Sequence, residues 1–292
     1  MVTLPEMRAS LLAHAGQTCR CLPRLSLYYS DRPSELAGFV YDPVVCFVLQ
    51  GSKRTIIGPR SYDYGAAECM IVTAEIAAQG QILIASQEEP YLALNLRIDA
   101  TIISNVISDL AFFKSPGNLP GFELTRTGPV LIQAWARAAE LFDKPETEDG
   151  ASVIERELVY RLLTGPQGPV LRQLARPESR LPQIRRAMEW IRAHYMEHLS
   201  VNAIAAIAGM SVSGFHRRFR AVAGTSPLEY QKHIRLYEAR RRLVSEHAEA
   251  ATVAYAVGYE SPSQFSREYR RLFGLPPRRD AKAIQSSSYP GL

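Results

Sequence analysis

Two short stretches carry hydrogen-bonding side chains of the same kinds at nearly the same spacing: Ser213, His216, Arg217 and Arg220 in "VSGFHRRFRA", and Ser263, Gln264, Arg267 and Arg270 in "PSQFSREYRR". At helical spacing they project away from an aromatic pair at i and i+4, Phe215 with Phe219 and Phe265 with Tyr269. The chemistry open to such a face is recognition. An arginine fork can bond guanine O6 and N7, a glutamine amide can bond adenine N6 and N7, and serine or histidine can reach several base edges. A solvated basic face is the plain alternative, and one copy alone does not separate the two.

The elements that must position these residues are themselves repeated. "IAAIAGMSVSGFHRRFRAVAGTSP" at 204–227 lies over "VAYAVGYESPSQFSREYRRLFGLPP" at 253–277, with one extra residue in the second turn. Each copy reads as a small-residue helix, a glycine that turns the chain, and a second helix packed through its aromatic pair, which is the pattern of a helix-turn-helix. Ser261 and Pro262 fit an N-cap and first helical position. Between the copies, the stretch from Ser226 reads as one helix starting at Pro227. Its roughly 18 residues would span about 27 Å, close to the ~34 Å turn of B-DNA, so two linked units could enter successive major grooves. Ahead of the repeat, Ile184, Met188, Ile191 and Tyr195 form one apolar stripe.

Over 182–281 the chain resembles the AraC/XylS family of bacterial transcription regulators. The motifs that carry the resemblance are A-x-x-x-G-M-S, F-x-R-x-F-R, G-x-S-P, G-Y-x-S-x-S-x-F-S-R-x-Y-R and F-G-x-x-P. Residues 22–165 are similar to an AraC-type regulator N-terminus, through "YDPVVCFVLQGSKRTIIG", "YDYGAAECMIV" and "EEPYLALNLRID". The resemblance implies a cupin-like β-barrel with dimerisation helices over 1–165, a linker at 166–181, and an all-α DNA-binding domain over 182–292. The helix-turn-helix units would lie at about 201–223 and 252–273. It further implies base contacts by Ser213, His216 and Arg217 from the first recognition helix, and by Ser263, Gln264 and Arg267 from the second. Gly214 stands where the family usually has a bulkier residue. Phosphate contacts are expected from Arg218, Arg220, Arg270 and Arg271. Ion pairs of Arg217 or Arg267 with Glu229 or Glu268 are the structural alternative. The implied partners are double-stranded operator DNA, a small-molecule effector, a second copy of the chain in a homodimer, and RNA polymerase if the protein activates.

Charge agrees with that division. From Glu178 onward there are 18 lysines and arginines against 10 aspartates and glutamates, a net +8, while the rest of the chain is −3. A basic region beside an acidic one points to a polyanionic partner for the former only.

Residues 22–98 read as short strands broken by Asp42-Pro43 and Gly51-Ser52, the texture of an antiparallel sandwich or barrel. From about residue 100 the pattern turns helical, with candidate dimerisation helices at 100–115, 129–142 and 152–163. The last has a capping-box pattern at Ser152 and Glu155. Glycines and prolines crowd 164–182, including Pro177, around a short helical piece "VLRQLAR". Tyr28, Tyr41, Phe47, Tyr62, Tyr64 and Tyr91 are candidate aromatic walls of an effector pocket, and Arg54, Arg60 or Arg97 candidates to meet an anion. Each has an ordinary core or surface role as its alternative.

An enzymatic barrel would need a metal site, yet only His14 of the six histidines precedes residue 180, outside the expected strands. Neither a G-x-S-x-G nor an H-E-x-x-H nor a Walker pattern occurs. No cysteine has the context of a DNA-repair nucleophile. No catalytic residue, metal or cofactor is expected. The four cysteines, Cys19, Cys21, Cys46 and Cys69, read as reduced thiols, with a redox role for Cys19-x-Cys21 left open. Without an apolar run near 20 residues or a signal-like N-terminus, the expected location is the cytoplasm, on the nucleoid when DNA-bound.

Overall fold

A computed structural model describes residues 2–98, 100–109, 119–175, 180–246 and 248–286. The chain falls into two compact units, Met1–Arg185 with Arg218–Gly224, and Arg186–Arg217 with Thr225–Leu292.

The first unit opens with helix α1 (Leu4–Leu11), capped by Thr3 and Glu6 in a reciprocal capping box, and a 3-10 turn at Leu12–His14. Eight strands follow: β1 (Leu25–Ser30), β2 (Ala37–Tyr41), β3 (Val44–Gln50), β4 (Ser52–Ile57), β5 (Arg60–Gly65), β6 (Glu68–Val72), β7 (Ile76–Ile84) and β8 (Tyr91–Arg97). After helix α2 (Ala100–Asp109) comes β9 (Phe122–Arg126), then α3 (Pro129–Asp143), α4 (Glu148–Thr164) and α5 (Gly168–Arg172). The strands form two antiparallel sheets, ordered β1-β8-β3-β6-β9 and β2-β7-β4-β5. β3 is buried over five consecutive residues because both of its faces are covered. On one face Phe47 stacks on Trp135 of α3, with ring centroids 5.4 Å apart.

Several sequence expectations need correction here. The chain does not stay helical after residue 100: β9 pairs antiparallel with β6, Glu68 opposite Arg126 and Val72 opposite Phe122. A five-residue edge strand is too short to show a period of its own. The helix expected over 100–115 is α2, and 110–115 lie outside the described residues. Ser152 does not cap a helix. α4 starts a turn earlier, where the Thr147 hydroxyl accepts the Gly150 N–H, and Glu155 is drawn instead into a bidentate pair with Arg24, at 2.8 and 2.6 Å. The glycine- and proline-rich stretch carries α5, and Arg172 and Gln173 are buried in the first unit. Gln173 donates to the Pro120 carbonyl at 3.0 Å. Pro177 lies outside the described residues.

The remaining helices are α6 (Leu181–Ala193), α7 (Val201–Ile207), α8 (Val212–Ala223), α9 (Pro227–Ser245), α10 (Ala250–Ala256), α11 (Pro262–Phe273) and α12 (Pro277–Ser286). Ile184, Met188 and Ile191 form the buried stripe of α6, but Tyr195 lies beyond its end. α9 begins where expected, with the Ser226 hydroxyl accepting the Glu229 N–H and Pro227 at the first position. Phe265 and Tyr269 sit in a core with Leu236 and Leu243 of α9, Val253 and Ala254 of α10, and Ala281 of α12.

Candidate nucleic-acid interface

α7 with α8, and α10 with α11, are the two helix-turn-helix units, and their turns are built alike. Gly209 (φ 62°) and Gly258 (φ 89°) take the left-handed conformation that a Cβ disfavours. The next residue then donates back five positions, Met210 to the Ala205 carbonyl and Tyr259 to the Ala254 carbonyl, each at 2.9 to 3.0 Å. This closes the first helix of each unit in a Schellman motif. Serine caps the second helix in both: Ser211 accepts the Gly214 N–H and Ser261 the Gln264 N–H, both at 3.3 Å.

Phe215, Phe219, Phe265 and Tyr269 are fully buried, so the opposite faces of α8 and α11 are turned outward. Ser213, His216, Arg217 and Arg220 are exposed on α8, and Ser263, Gln264, Arg267, Arg270 and Arg271 on α11; Arg218 is half-buried. Among the described residues, neither Arg217 nor Arg267 has an ion pair, and Glu229 and Glu268 are engaged elsewhere. Glu229 holds Lys232 at 2.9 Å, Arg271 at 3.5 Å and His233 at 3.7 Å. Glu268 accepts from the Tyr259 hydroxyl at 2.8 Å and from Gln264 at 3.3 Å. Burial alone would raise the Glu229 carboxyl, but Lys232, His233 and Arg271 outweigh it and hold it below the usual carboxylate range.

Two features of the second unit had no signal in the sequence pattern. The segment after α6 is clasped by α9: Gln231 donates to the carbonyls of Tyr195 and Glu197 at 3.0 and 2.7 Å, and Arg235 to the same two at 2.6 and 2.8 Å. The Met196 carbonyl of that segment lies against Gly258. Gly209→Ala is therefore expected to cost only about 1 kcal/mol of backbone strain, since an added Cβ there meets nothing within 4 Å. Gly258→Ala should cost clearly more, because its Cβ would run into the Met196 carbonyl. Equal losses in thermal unfolding would show that the segment does not press on the turn.

The aromatic candidates of the first unit are only partly brought together. Tyr28 and Tyr91 of one sheet, and Tyr41 and Tyr64 of the other, meet between the sheets: the Tyr28 and Tyr91 rings lie 5.9 Å apart. Thr55 links the Tyr41 and Tyr64 hydroxyls at 3.4 and 3.0 Å. Tyr62 packs on Phe122 at 5.1 Å, and Phe47 lies on the other side of β3 against Trp135. The three arginine candidates do not join the group. Arg54 pairs with Asp63 at 2.6 Å on the surface, Arg60 is exposed, and Arg97 donates to the Pro23 carbonyl at 3.2 Å. The charge that does reach the aromatic cluster is Lys53, whose Nζ lies 5.4 to 5.8 Å from the centroids of Phe39, Tyr41 and Tyr28.

All four cysteines are free thiols. The sulfurs of Cys19 and Cys21 are 3.6 Å apart, and burial pushes the Cys19 thiol up, away from the reactive thiolate. Burial raises the Cys69 thiol to about 12. Among the described residues no three His, Cys, Asp or Glu side chains are grouped to hold a metal ion, and no helix is long and apolar enough to cross a membrane.

Comparison with known proteins matches two parts of the chain to two family models. Residues 21–170 match the AraC-type transcriptional regulator N-terminus, and residues 204–283 a helix-turn-helix domain. The HTH-type transcriptional activator RhaS of Enterobacter sp. (strain 638) is 27% identical over 150 residues, 51% of this chain and 53% of RhaS. The HTH-type transcriptional regulator ExsA of Pseudomonas aeruginosa is 28% identical over 161 residues, 55% of this chain and 58% of ExsA. These matches span little more than half of each relative. Among solved structures, ToxT of Vibrio cholerae shares the fold with a TM-score of 0.57 at 11% identity, over 88% of this chain and 97% of ToxT. The structure of ToxT with bound unsaturated fatty acid gives a TM-score of 0.53 at 9% identity, over 91% of this chain and 97% of ToxT.

Proposed function

Since the chain belongs to the AraC family of transcriptional regulators, we propose that α8 and α11 are its two recognition helices, reading one operator from successive major grooves. Base contacts are assigned to Ser213, His216 and Arg217, and to Ser263, Gln264 and Arg267. The observation that carries this is the pair Arg217 and Arg267, exposed at equivalent positions with no ion pair among the described residues, while the neighbouring acids are engaged elsewhere. α9, 19 residues and therefore about 28 Å long, suits a spacing of one DNA turn.

Arg218, Arg220, Arg270 and Arg271 are assigned to phosphates, with Arg271 sharing its charge with Glu229. Selection of bound duplexes from a random pool should yield two half-elements about 10 bp apart. Single Arg220→Ala and Arg270→Ala variants should weaken binding to all duplexes alike and each reduce the salt slope of log K by about one. An unchanged slope would remove them from the phosphate contacts.

Residues 1–165 are assigned to effector binding and dimerisation, and 182–292 to DNA binding. An effector role for the first unit is supported by its likeness in fold to ToxT, of which one structure holds an unsaturated fatty acid. Tyr28, Tyr41, Tyr64 and Tyr91 are assigned to the lining of such a site, with Tyr62 on the sheet that carries Tyr41 and Tyr64. α3 and α4 support a homodimer contact, since they expose Val130, Val153 and Tyr160. The protein would act in the cytoplasm on double-stranded DNA, and would contact RNA polymerase if it activates. Its family is one of regulators, not of enzymes.

A further inference from the structure

Lys53 raises a question of charge balance. Its Nζ lies among the rings of Phe39, Tyr41 and Tyr28, and no carboxylate of the described residues pairs with it. Burial disfavours its ammonium, but Tyr41, which also bonds it, together with Cys46 and Tyr28 outweighs burial and holds Lys53 above the usual lysine range. Cation–π contacts recover only part of what water would supply to such a cation. Space for the lysine is made deliberately: a Cβ on Gly80 would press on Phe39 and approach the Lys53 side chain to 3.2 Å.

Beneath the lysine lies a second, independent sign of an absent partner. Tyr91 is 1% exposed, and its hydroxyl has no partner of good hydrogen-bond geometry, only the weakly bonding Cys46 thiol beside it. Buried phenols normally find one. Cys46, also buried, lies beside both Lys53 and Tyr91. The cluster thus offers an ammonium, phenol hydroxyls and a thiol, with no acid of its own. Tyr28 is 46% exposed and its ring contacts Tyr91, so the cluster runs from solvent to the interior.

We propose that Lys53, with Tyr28, Phe39, Tyr41 and Tyr91, forms a binding site for a small monocarboxylate with a flat or apolar body. The carboxylate, a better acceptor than the Cys46 thiol, would accept from Lys53 Nζ and from the Tyr91 hydroxyl, while the body lies on the rings. One carboxylate balances one lysine, whereas a phosphate dianion would leave a charge uncompensated. The proposal rests on reading the first unit as the effector domain and names the ligand class for it.

Calorimetric titration of the full chain with phenylacetate, benzoate and hexanoate tests this, with phenylacetamide as the neutral counterpart of the first. At least one acid should bind, with phenylacetate at least about tenfold tighter than its amide. Lys53→Met should abolish that preference, and Tyr28→Ala, at the exposed rim, should weaken phenylacetate without altering the fold by circular dichroism. Without ligand, Lys53→Met should raise the thermal midpoint, since it removes an unbalanced, half-buried charge from among the rings. Equal binding of acid and amide, or phenylacetate binding unchanged by Lys53→Met, would overturn the carboxylate site yet leave an effector pocket in place. If neither acids nor amide bind, the site is overturned and the effector reading loses its support as well.

Discussion

Asp280→Ala is expected to destabilise the second helix-turn-helix unit by about 3–5 kcal/mol, the loss that follows when one member of a buried ion pair is removed. Asp280 of α12 is 3% exposed and Arg240 of α9 is 7% exposed. The guanidinium donates to both carboxylate oxygens, Nε at 2.8 Å and Nη2 at 3.0 Å, and the Tyr269 hydroxyl of α11 donates to Oδ2 at 2.7 Å. Burial and the Asp280 charge push the Tyr269 phenol up, so it keeps the proton it donates. One carboxylate therefore joins α9, α11 and α12.

The substitution would take the carboxylate from a buried cation and from the buried hydroxyl that donates to it. Replacing the pair by Arg240→Met with Asp280→Leu should recover most of the loss, because no uncompensated charge remains. Urea unfolding followed by Trp190 fluorescence in a Trp135→Phe background reports on this part of the chain. If Asp280→Ala unfolded within about 1 kcal/mol of its parent, a range ordinary for surface substitutions and mild core changes, the network would not be what seats α11.

The double variant Arg217→Ala with Arg267→Ala should lose most of its preference for the selected operator over a scrambled duplex. A good bidentate arginine–guanine contact discriminates by about 1–3 kcal/mol. The two arginines lie on different helices and share no partner, so their losses should add to about 2–6 kcal/mol, roughly 30-fold to 20,000-fold in selectivity. Arg→Lys at both positions retains charge and should preserve much of the non-specific affinity, but it lacks the planar fork and should still relax selectivity. Competition binding at one fixed salt concentration measures the ratio. An unchanged ratio would move base reading to other side chains on these helices.

The repeat was legible because everything that builds it is local. Ser261 caps, Pro262 starts, Gly258 turns, and Phe265 and Tyr269 fall on one face, all within 12 residues of chain and with a counterpart one repeat earlier. Composition separated strands from helices in the first unit for a similar reason, since each reading used a few neighbouring residues. β9 escaped because five edge-strand residues between glycines show little period, and its pairing with β6 joins residues far apart in sequence. Ser152 and Glu155 have the spacing of a capping box. Thr147, however, offers its own cap a turn earlier, and Arg24 claims Glu155 from 131 residues away.

The sequence by itself determined the two helix-turn-helix units, the helix between them, the outward polar faces and the family, since periodicity, caps and obligatory glycines act over single turns of chain. Only the tertiary structure decided which charges have partners. Lys53 and Arg54 are adjacent in sequence, yet β4 turns one among aromatic rings and the other toward Asp63 on the surface. In the same way β3 sends Phe47 toward Trp135 and its neighbour Cys46 toward Lys53 and Tyr91. A strand alternates sides at every residue, so register and sheet packing, not composition, choose which side chain meets the interior. The Arg240, Asp280 and Tyr269 network likewise needed three helices packed together before its members could touch.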